Sequence, residues 1–105
     1  MDDFKIIYKI LKFLRDSMDF EEFDNESFQA STFGTNENRF KALLIQLQKS
    51  GHIEGLNVKQ MLRQSLVILP PIQPRITIKG LEYLHDNGMM KKAAELLKGI
   101  VDVVL

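Results

Sequence analysis

The 105-residue sequence contains no cysteine, which excludes disulfide bonds, thiolate metal sites and cysteine nucleophiles. It also contains no run of about 18 uninterrupted apolar residues, the length that a membrane-spanning helix needs. The N-terminal segment opens with acids and is interrupted by lysines, so it lacks the basic start and apolar stretch of a secretory signal peptide. We therefore expect a soluble, cytoplasmic protein.

Charge is distributed unevenly along a chain whose formal net charge is zero. Residues 16–38 contain seven acids and no base, whereas residues 39–79 contain seven bases and one acid, Glu54. The basic segment favours a polyanionic partner, although the balanced total is unlike that of many nucleic-acid-binding domains. A solvated surface whose charges happen to cluster is the plainer interpretation.

The N-terminal apolar pattern predicts a helix over residues 3–15. One stripe recurs at three- and four-residue steps: Phe4, Ile7, Tyr8, Leu11 and Leu14. A second, adjacent stripe consists of Ile6, Ile10 and Phe13. So wide an apolar arc indicates a helix that is covered on two sides, by the rest of the domain and by either the C-terminal helix or a second chain.

A helix-turn-helix outline follows the first helix. The sequence predicts a short helix at about residues 25–32, a turn at Gly34, and a longer helix from about Thr35 to Ser50. The longer helix has a core-facing stripe at helical spacing: Phe40, Leu43, Leu44 and Leu47. Gly51 suits the left-handed position that follows a helix.

Residues that favour β-structure come after Gly51. Residues 52–58 and 66–69 are predicted strands, the second is stopped by two prolines, and residues 75–78 add an extended piece. Residues 59–65 fit either the tip of a hairpin or a helical turn, and we favour a long hairpin with an irregular tip.

Two helices are predicted at the C-terminal end. Thr77 is the N-cap of the first, which ends at Asn87–Gly88, and the second covers about residues 89–103. Gly80 costs a helix roughly 1 kcal/mol relative to alanine, which indicates close packing there. Residues 1–105 are thus predicted to form one α+β, mostly helical domain, a winged helix-turn-helix with three helices, a β-hairpin wing and two further C-terminal helices.

The chain resembles the YjcQ-like winged-helix proteins of Gram-positive bacteria and their phages. The resemblance is carried by TNENRFKALLIQLQKSGHIEG at residues 35–55, ITIKGLEYLHDNG at 76–88 and MMKKAAELLKGIVD at 89–102. It implies a winged-helix fold and a regulatory or phage-related DNA-binding function, such as that of a transcriptional regulator. It supplies no catalytic motif, and residues 56–75 follow none of its patterns.

The predicted DNA-binding residues lie on the outer face of the third helix and on the wing. Four have side chains that read base edges: Asn36, Asn38, Arg39 and Gln46. Lys41 and Lys49 are candidate phosphate contacts, and Ala42 could lie against a thymine methyl group. Lys59, Arg63 and Arg75 lie on or near the wing, where they could contact phosphate or the minor groove. For any one of these residues, an ordinary polar surface side chain is about as good an interpretation as a DNA contact.

Ile45 lies in the middle of this outer face and fits it poorly. Ile45 could instead pack under the wing or in a protein interface, and burial in a protein interface is the better interpretation. The alternative function is accordingly a protein-interaction or dimerisation module that does not bind DNA. A homodimer through the first and last helices is compatible with either function, because helix-turn-helix proteins often pair to match two half-sites.

Nothing in the sequence predicts an enzyme, a metal site, a cofactor or a small-molecule substrate. His52 and His85 are far apart in sequence, and each is more simply a surface or strand-edge residue than a catalytic base. The paired acids Glu21 and Glu22 have no metal-ligand spacing, and no glycine-rich phosphate loop or nucleophile elbow is present.

Overall fold

The computed structural model describes the backbone of residues 2–99 and the side chains of residues 2–88 apart from Gln64. This part of the chain is α+β and mostly helical. Its elements are α1 (Asp3–Ser17), a 3₁₀ turn (Ala30–Phe33), α2 (Glu37–Lys49), β1 (Ile53–Glu54), β2 (Asn57–Gln60), a second 3₁₀ turn (Leu62–Gln64), β3 (Leu66–Leu69), β4 (Arg75–Ile76) and α3 (Ile78–Gly99). Across residues 2–99, no helix combines the length and apolar character that a membrane crossing requires.

Asp2 caps helix α1, because its carboxylate accepts hydrogen bonds from the N–H groups of Phe4 and Lys5. The helix packs against the first 3₁₀ turn, β4 and α3. Its most buried residues come from both predicted stripes: Ile6, Ile10, Leu11 and Leu14. Phe4, which belongs to the first stripe, is instead 72% exposed.

An aromatic cluster joins α1 to the segment before α2. Its five phenylalanine rings lie with neighbouring centroids 5.2–6.0 Å apart, at edge-on, tilted and stacked angles: Phe13, Phe23, Phe28, Phe33 and Phe40. Such pairs contribute roughly 0.5–1.5 kcal/mol each beyond their burial. The rings of Phe28 and Phe33 lie between Phe13 of α1 and Phe40 of α2 and so connect the two helices.

The predicted helix at residues 25–32 is wrong, because only a four-residue 3₁₀ turn from Ala30 to Phe33 forms there. Gln29 is extended, with φ −145° and ψ 161°, and this interrupts any helix that begins near Asp24. The extended residue lets Phe28 and Phe33 both enter the aromatic cluster. The helix propensity of these few residues contributes less free energy than the burial of two phenylalanine rings.

Helix α2 has the predicted start and end. The Asn36 side chain accepts the N–H of Arg39, and Gly51 adopts φ 84° after the helix. At the C-terminal end, the N–H of His52 donates to the carbonyl of Leu47 and that of Gly51 to the carbonyl of Gln48, which is the Schellman arrangement. Three residues of the predicted inner stripe are buried and the fourth, Leu43, is half-buried.

The β-hairpin is antiparallel and consists of two short ladders. Ile53 pairs with Ile76 at its base, and β2 pairs with β3 from Asn57↔Leu69 to Gln60↔Leu66. The predicted continuous strand over 52–58 is divided at Gly55, whose φ of 93° takes the backbone out of the ladder. The second 3₁₀ turn forms the irregular tip.

Helix α3 begins as predicted and continues past its predicted end. Thr77 caps it, because its hydroxyl oxygen accepts the N–H of Gly80. The helix runs through Asn87 and Gly88, where the Asn87 amide donates to the carbonyl of Tyr83 at 2.8 Å and Gly88 does not adopt a positive φ.

The described part of the chain contains three α-helices, whereas the sequence predicted five. Of the predicted final helix, residues 89–99 continue α3, and its remaining residues and apolar side chains lie outside the described part.

Gly80 lies where α3 crosses the start of the hairpin. A Cβ atom built on Gly80 would lie 2.4 Å from the carbonyl oxygen of His52 and 2.6 Å from Cγ1 of Ile76. Real Cβ atoms do not approach backbone that closely. The close packing predicted at this glycine is thus present, and it sets the distance between α3 and β1.

We predict that Gly80→Ala lowers the free energy of unfolding by about 2 kcal/mol, because the added methyl group forces α3 away from β1. The matched variant Gly88→Ala, in the same helix, places its Cβ 3.4 Å from the Tyr8 hydroxyl oxygen. It should raise the same free energy by about 0.5 kcal/mol through helix propensity. Urea unfolding of both variants measures the two effects, and equal effects would contradict the close-packing argument.

Candidate nucleic-acid interface

The outer face of α2 is exposed and carries mainly polar and positively charged side chains. The six predicted contact residues of this helix all have exposed side chains: Asn38, Arg39, Lys41, Ala42, Gln46 and Lys49. Ile45, which the sequence places on the same side, is only 9% exposed and belongs to the hydrophobic core. The predicted burial of Ile45 in a protein interface is therefore wrong, because the side chain is already covered within this chain. Its burial leaves the exposed face polar or small throughout. The one acid of α2, Glu37, lies in its first turn.

Three of the predicted residues at the start of α2 already have partners. The side-chain oxygen of Asn36 serves as the helix cap, at 2.9 Å from the N–H of Arg39. The Arg39 guanidinium donates to Asp3 of α1 at 2.7 Å, and Lys41 lies 3.9 Å from Glu37. Both ion pairs are solvent-exposed, and pairs of this kind contribute about 0–1 kcal/mol. The face toward the C-terminal end of the helix, with Gln46 and Lys49, is therefore the freer part of the surface.

Gln48 couples α2 to the hairpin, which the sequence analysis did not anticipate. Its side-chain nitrogen donates to the carbonyl of Leu56 at 3.0 Å, and its side-chain oxygen accepts the N–H of Leu56 at 2.8 Å. This two-point contact satisfies both backbone groups of a buried residue at the break between β1 and β2. It therefore holds the hairpin at a defined position relative to the outer face of α2.

The predicted hairpin residues occupy three different places. Lys59 is exposed on β2 opposite Val67, and Arg63 is exposed at the tip. Arg75 lies at the base, 3.8 Å from Glu54, and lines a groove together with Glu21. Glu54 and Glu21 lie near Arg75, whereas no ion pair among the described residues involves Lys59 or Arg63.

Arg63 has an unusual backbone conformation. Its φ of 65° and ψ of 26° place it in the left-handed region, where a residue other than glycine or asparagine is strained by roughly 1–2 kcal/mol. Among residues 2–99 it is the one non-glycine residue with a positive φ. The turn is closed by a hydrogen bond of 2.7 Å from the N–H of Met61 to the carbonyl of Ser65.

A further cation lies at the C-terminal end of α2. The Lys79 ammonium donates to the carbonyl of Ser50 at 2.8 Å, where it also opposes the negative end of the helix dipole. Burial lowers the pKa of the nearby His52 imidazole, and the positive charge of Lys79 lowers this pKa further. Lys79 was not among the predicted site residues. The sequence feature that indicates Lys79 as a site residue is the stretch from Gly55 to Leu81, which includes Lys79 and contains no acid.

The acidic segment, residues 16–26, lies beside the base of the hairpin. The side chain of Gln73 donates to the side-chain oxygen of Asn25 at 3.1 Å, and Phe20 and Glu21 line a groove with Pro74. Glu21 of this segment therefore adjoins β4, at the base of the hairpin and not at its tip. Among the described residues, no group of three or more acidic or histidine side chains could hold a metal ion.

Comparison with known proteins assigns the chain to a family. The sequence profile of a family described as YjcQ protein matches residues 8–103. The chain belongs to the YjcQ family. No curated protein and no solved structure matches it. The family match covers α2, the hairpin and α3, so every element of the candidate interface lies inside the YjcQ region.

We predict that Gln48→Leu in this YjcQ-family chain lowers the free energy of unfolding by about 1–3 kcal/mol, because both backbone groups of Leu56 lose their partner. Hydrogen exchange at the amides of β2 and β3 should accelerate more than exchange in α1. The control Gln46→Leu alters an exposed position of the same helix and should change the stability by less than about 0.5 kcal/mol. Equal exchange rates in both variants would show that Gln48 does not hold the hairpin.

We predict that Lys79→Met raises the pKa of His52 toward 6.5, its usual value, without reaching it, because burial remains. The pKa of His52 is lower in the folded chain than in the unfolded chain. Its contribution to stability is therefore complete above pH 6.5 and declines as the pH falls through 6.5 toward the folded value. NMR titration of the imidazole measures the change. Lys12→Met, which removes a positive charge from α1, is the control. If the His52 pKa is unchanged in the Lys79 variant, burial alone lowers it and the prediction is wrong.

Proposed function

We propose that this protein binds duplex DNA as a winged helix-turn-helix. In this proposal the first 3₁₀ turn and α2 form the helix-turn-helix, α2 enters the major groove, and the β2–β3 hairpin is the wing. The outer face of α2 has the composition that such contact requires, with amides for base edges and lysines for phosphates. The acidic segment lies against the base of the hairpin, away from its tip.

The observation that carries the proposal is the burial of Ile45. If this side chain were exposed, the face of α2 would have an apolar centre suited to a protein partner. With Ile45 in the core, the exposed surface of the C-terminal half of α2 consists of Ala42, Gln46 and Lys49. Such a polar, positively charged surface is typical of contact with a nucleic acid.

The proposed contacts fall into two groups. Asn38 and Gln46 would meet base edges, with Ala42 between them against a thymine methyl group. Lys49, Lys59 and Arg63 would bind phosphates and position the protein without reading sequence. Arg39 can join them only by giving up its exposed ion pair with Asp3, which costs little.

We further propose that the protein is a regulator without enzymatic activity. His52 lies in a structural environment: its ring meets the edge of Tyr83 with centroids 5.6 Å apart, and its Nδ1 is 2.6 Å from the Ser50 hydroxyl oxygen. Transcriptional regulation, including a phage-related role, would follow from sequence-specific binding.

We predict that the wild-type protein binds a mixed-sequence duplex at low salt and that its affinity falls steeply as salt increases. Lys49→Ala should reduce the slope of log affinity against log salt by about 0.9, the value for one phosphate contact. Lys12→Ala removes the same charge from α1, which lies outside the proposed interface, and should leave the slope unchanged. Fluorescence anisotropy measures both.

Two outcomes of that titration would contradict the proposal. The first is no binding of the wild-type protein at the lowest salt. The second is an equal loss in the Lys12 and Lys49 variants, because it would mean that total charge rather than the α2 face governs binding.

A protein-interaction function is the second candidate, and the exposure of Phe4 favours it. This aromatic side chain is 72% exposed at the start of α1, which is the helix proposed to pair with a second chain. Homodimerisation through α1 and the C-terminal helix predicts a concentration-dependent mass in sedimentation velocity. Phe4→Ser should shift that equilibrium toward the monomer, whereas Lys49→Ala should not.

A further inference from the structure

The tip of the β2–β3 hairpin presents an apolar side chain with almost no protein contact. Leu62 is 91% exposed, and its neighbour Met61 is 46% exposed. Leu62 begins the short 3₁₀ turn that closes the hairpin, so the hairpin holds it at its far end. An exposed leucine contributes little to folding, since it stays in contact with water.

The neighbouring Arg63 points to a role for this tip outside folding. Asparagine or glycine would adopt its left-handed backbone conformation with less strain, so arginine lowers the stability of the turn. Strained residues of this kind cluster at functional sites, where the side chain rather than the backbone is needed. The Arg63 side chain is exposed, follows Leu62 in the sequence and forms no ion pair among the described residues, whereas Arg75 lies 3.8 Å from Glu54.

Charge defines the kind of partner that suits the tip. The chain has no acid from Gly55 to Leu81, and Lys59 and Arg63 flank the apolar pair Met61–Leu62. A partner that accepts both features must be negatively charged and must also offer an apolar gap. Duplex DNA does so in the minor groove, where stacked bases lie between two rows of phosphates.

We propose that the hairpin tip is a wedge for duplex DNA. The Leu62 side chain enters the minor groove and partly unstacks one base step, while Arg63 and Lys59 bind the adjacent phosphates. This inference rests on the proposed DNA-binding function and adds to it a deformation of the DNA. Base steps that unstack easily would then be preferred at the position of the tip, without any base-specific hydrogen bond.

DNA suits the tip better than an anionic membrane surface. Two adjacent apolar side chains provide little area for insertion into lipid, and stable membrane binding needs a larger apolar face. In addition, the Gln48–Leu56 contact links the hairpin to α2, so the tip and the cationic face of that helix are held in one arrangement. A single duplex can engage both.

A plasmid-relaxation assay tests the wedge without knowledge of a target sequence. Relaxed plasmid is treated with topoisomerase I in the presence of the protein, and binding is measured separately by gel shift. We expect the wild-type protein to change the linking number, because unstacking unwinds the duplex. Leu62→Ser, compared at equal occupancy, should lose most of this change while its affinity falls only about threefold. Leu62→Met should retain the change.

Arg63→Gly gives a second, independent measurement. Glycine relieves the strained backbone, so we expect a higher melting temperature together with an affinity for plasmid that is lower by about fivefold. A purely structural role for Arg63 predicts no loss of affinity. The opposite signs of the two effects also exclude misfolding as the cause of weaker binding.

Each result decides between the proposals. If the wild-type protein binds plasmid but Leu62→Ser changes the linking number equally, the wedge is wrong and DNA binding stands. If the wild-type protein binds no DNA, the proposed function fails and the wedge fails with it. If binding to vesicles of phosphatidylserine and phosphatidylcholine depends on Leu62 and DNA unwinding does not, the partner is a lipid surface and the wedge is overturned.

Discussion

The C-terminal end of α2 is the point at which the described elements are held together. The Thr77 hydroxyl donates to the carbonyl of Gly51 and accepts the N–H of Gly80, so one side chain connects the end of α2 with the start of α3. Gly80 lets α3 approach β1 to a distance that no Cβ would permit. Gln48, one turn earlier, ties the same helix to Leu56. The position of the hairpin relative to the outer face of α2 depends on these contacts.

This geometry determines where the unevenly distributed charges of the sequence lie on the protein. A net charge of zero would predict little attraction to a polyanion, yet the acidic segment contacts the base of the hairpin, and among the described residues Lys49, Lys59 and Arg63 form no ion pair with an acid. Local potential rather than net charge governs the approach of a charged partner. Lys79 strengthens the same end of α2, where its ammonium meets the carbonyl of Ser50.

The hairpin tip contributes little to the stability of the fold. Leu62 has little contact with the rest of the chain, and Arg63 occupies a conformation that suits glycine. The cluster of phenylalanines on the other side of α2 stabilises the fold by ring contacts that need no partner. Folding free energy is therefore concentrated in the core and at the end of α2, and the tip can carry side chains that destabilise it locally.

Some features of this protein follow from the sequence alone because they depend on neighbours within a few residues. The caps at Asn36 and Thr77, the left-handed Gly51 and the buried stripe of α2 belong to this class. Other features depend on residues that are distant in sequence. The aromatic cluster replaced the predicted helix at 25–32 with a 3₁₀ turn, and the helix continued through Gly88 despite its stop signal. Only the tertiary structure decided that Ile45 is buried within this chain rather than in a protein interface, that Arg39 pairs with Asp3 and that Glu21 and Glu54 lie near Arg75, because each depends on which elements pack against one another.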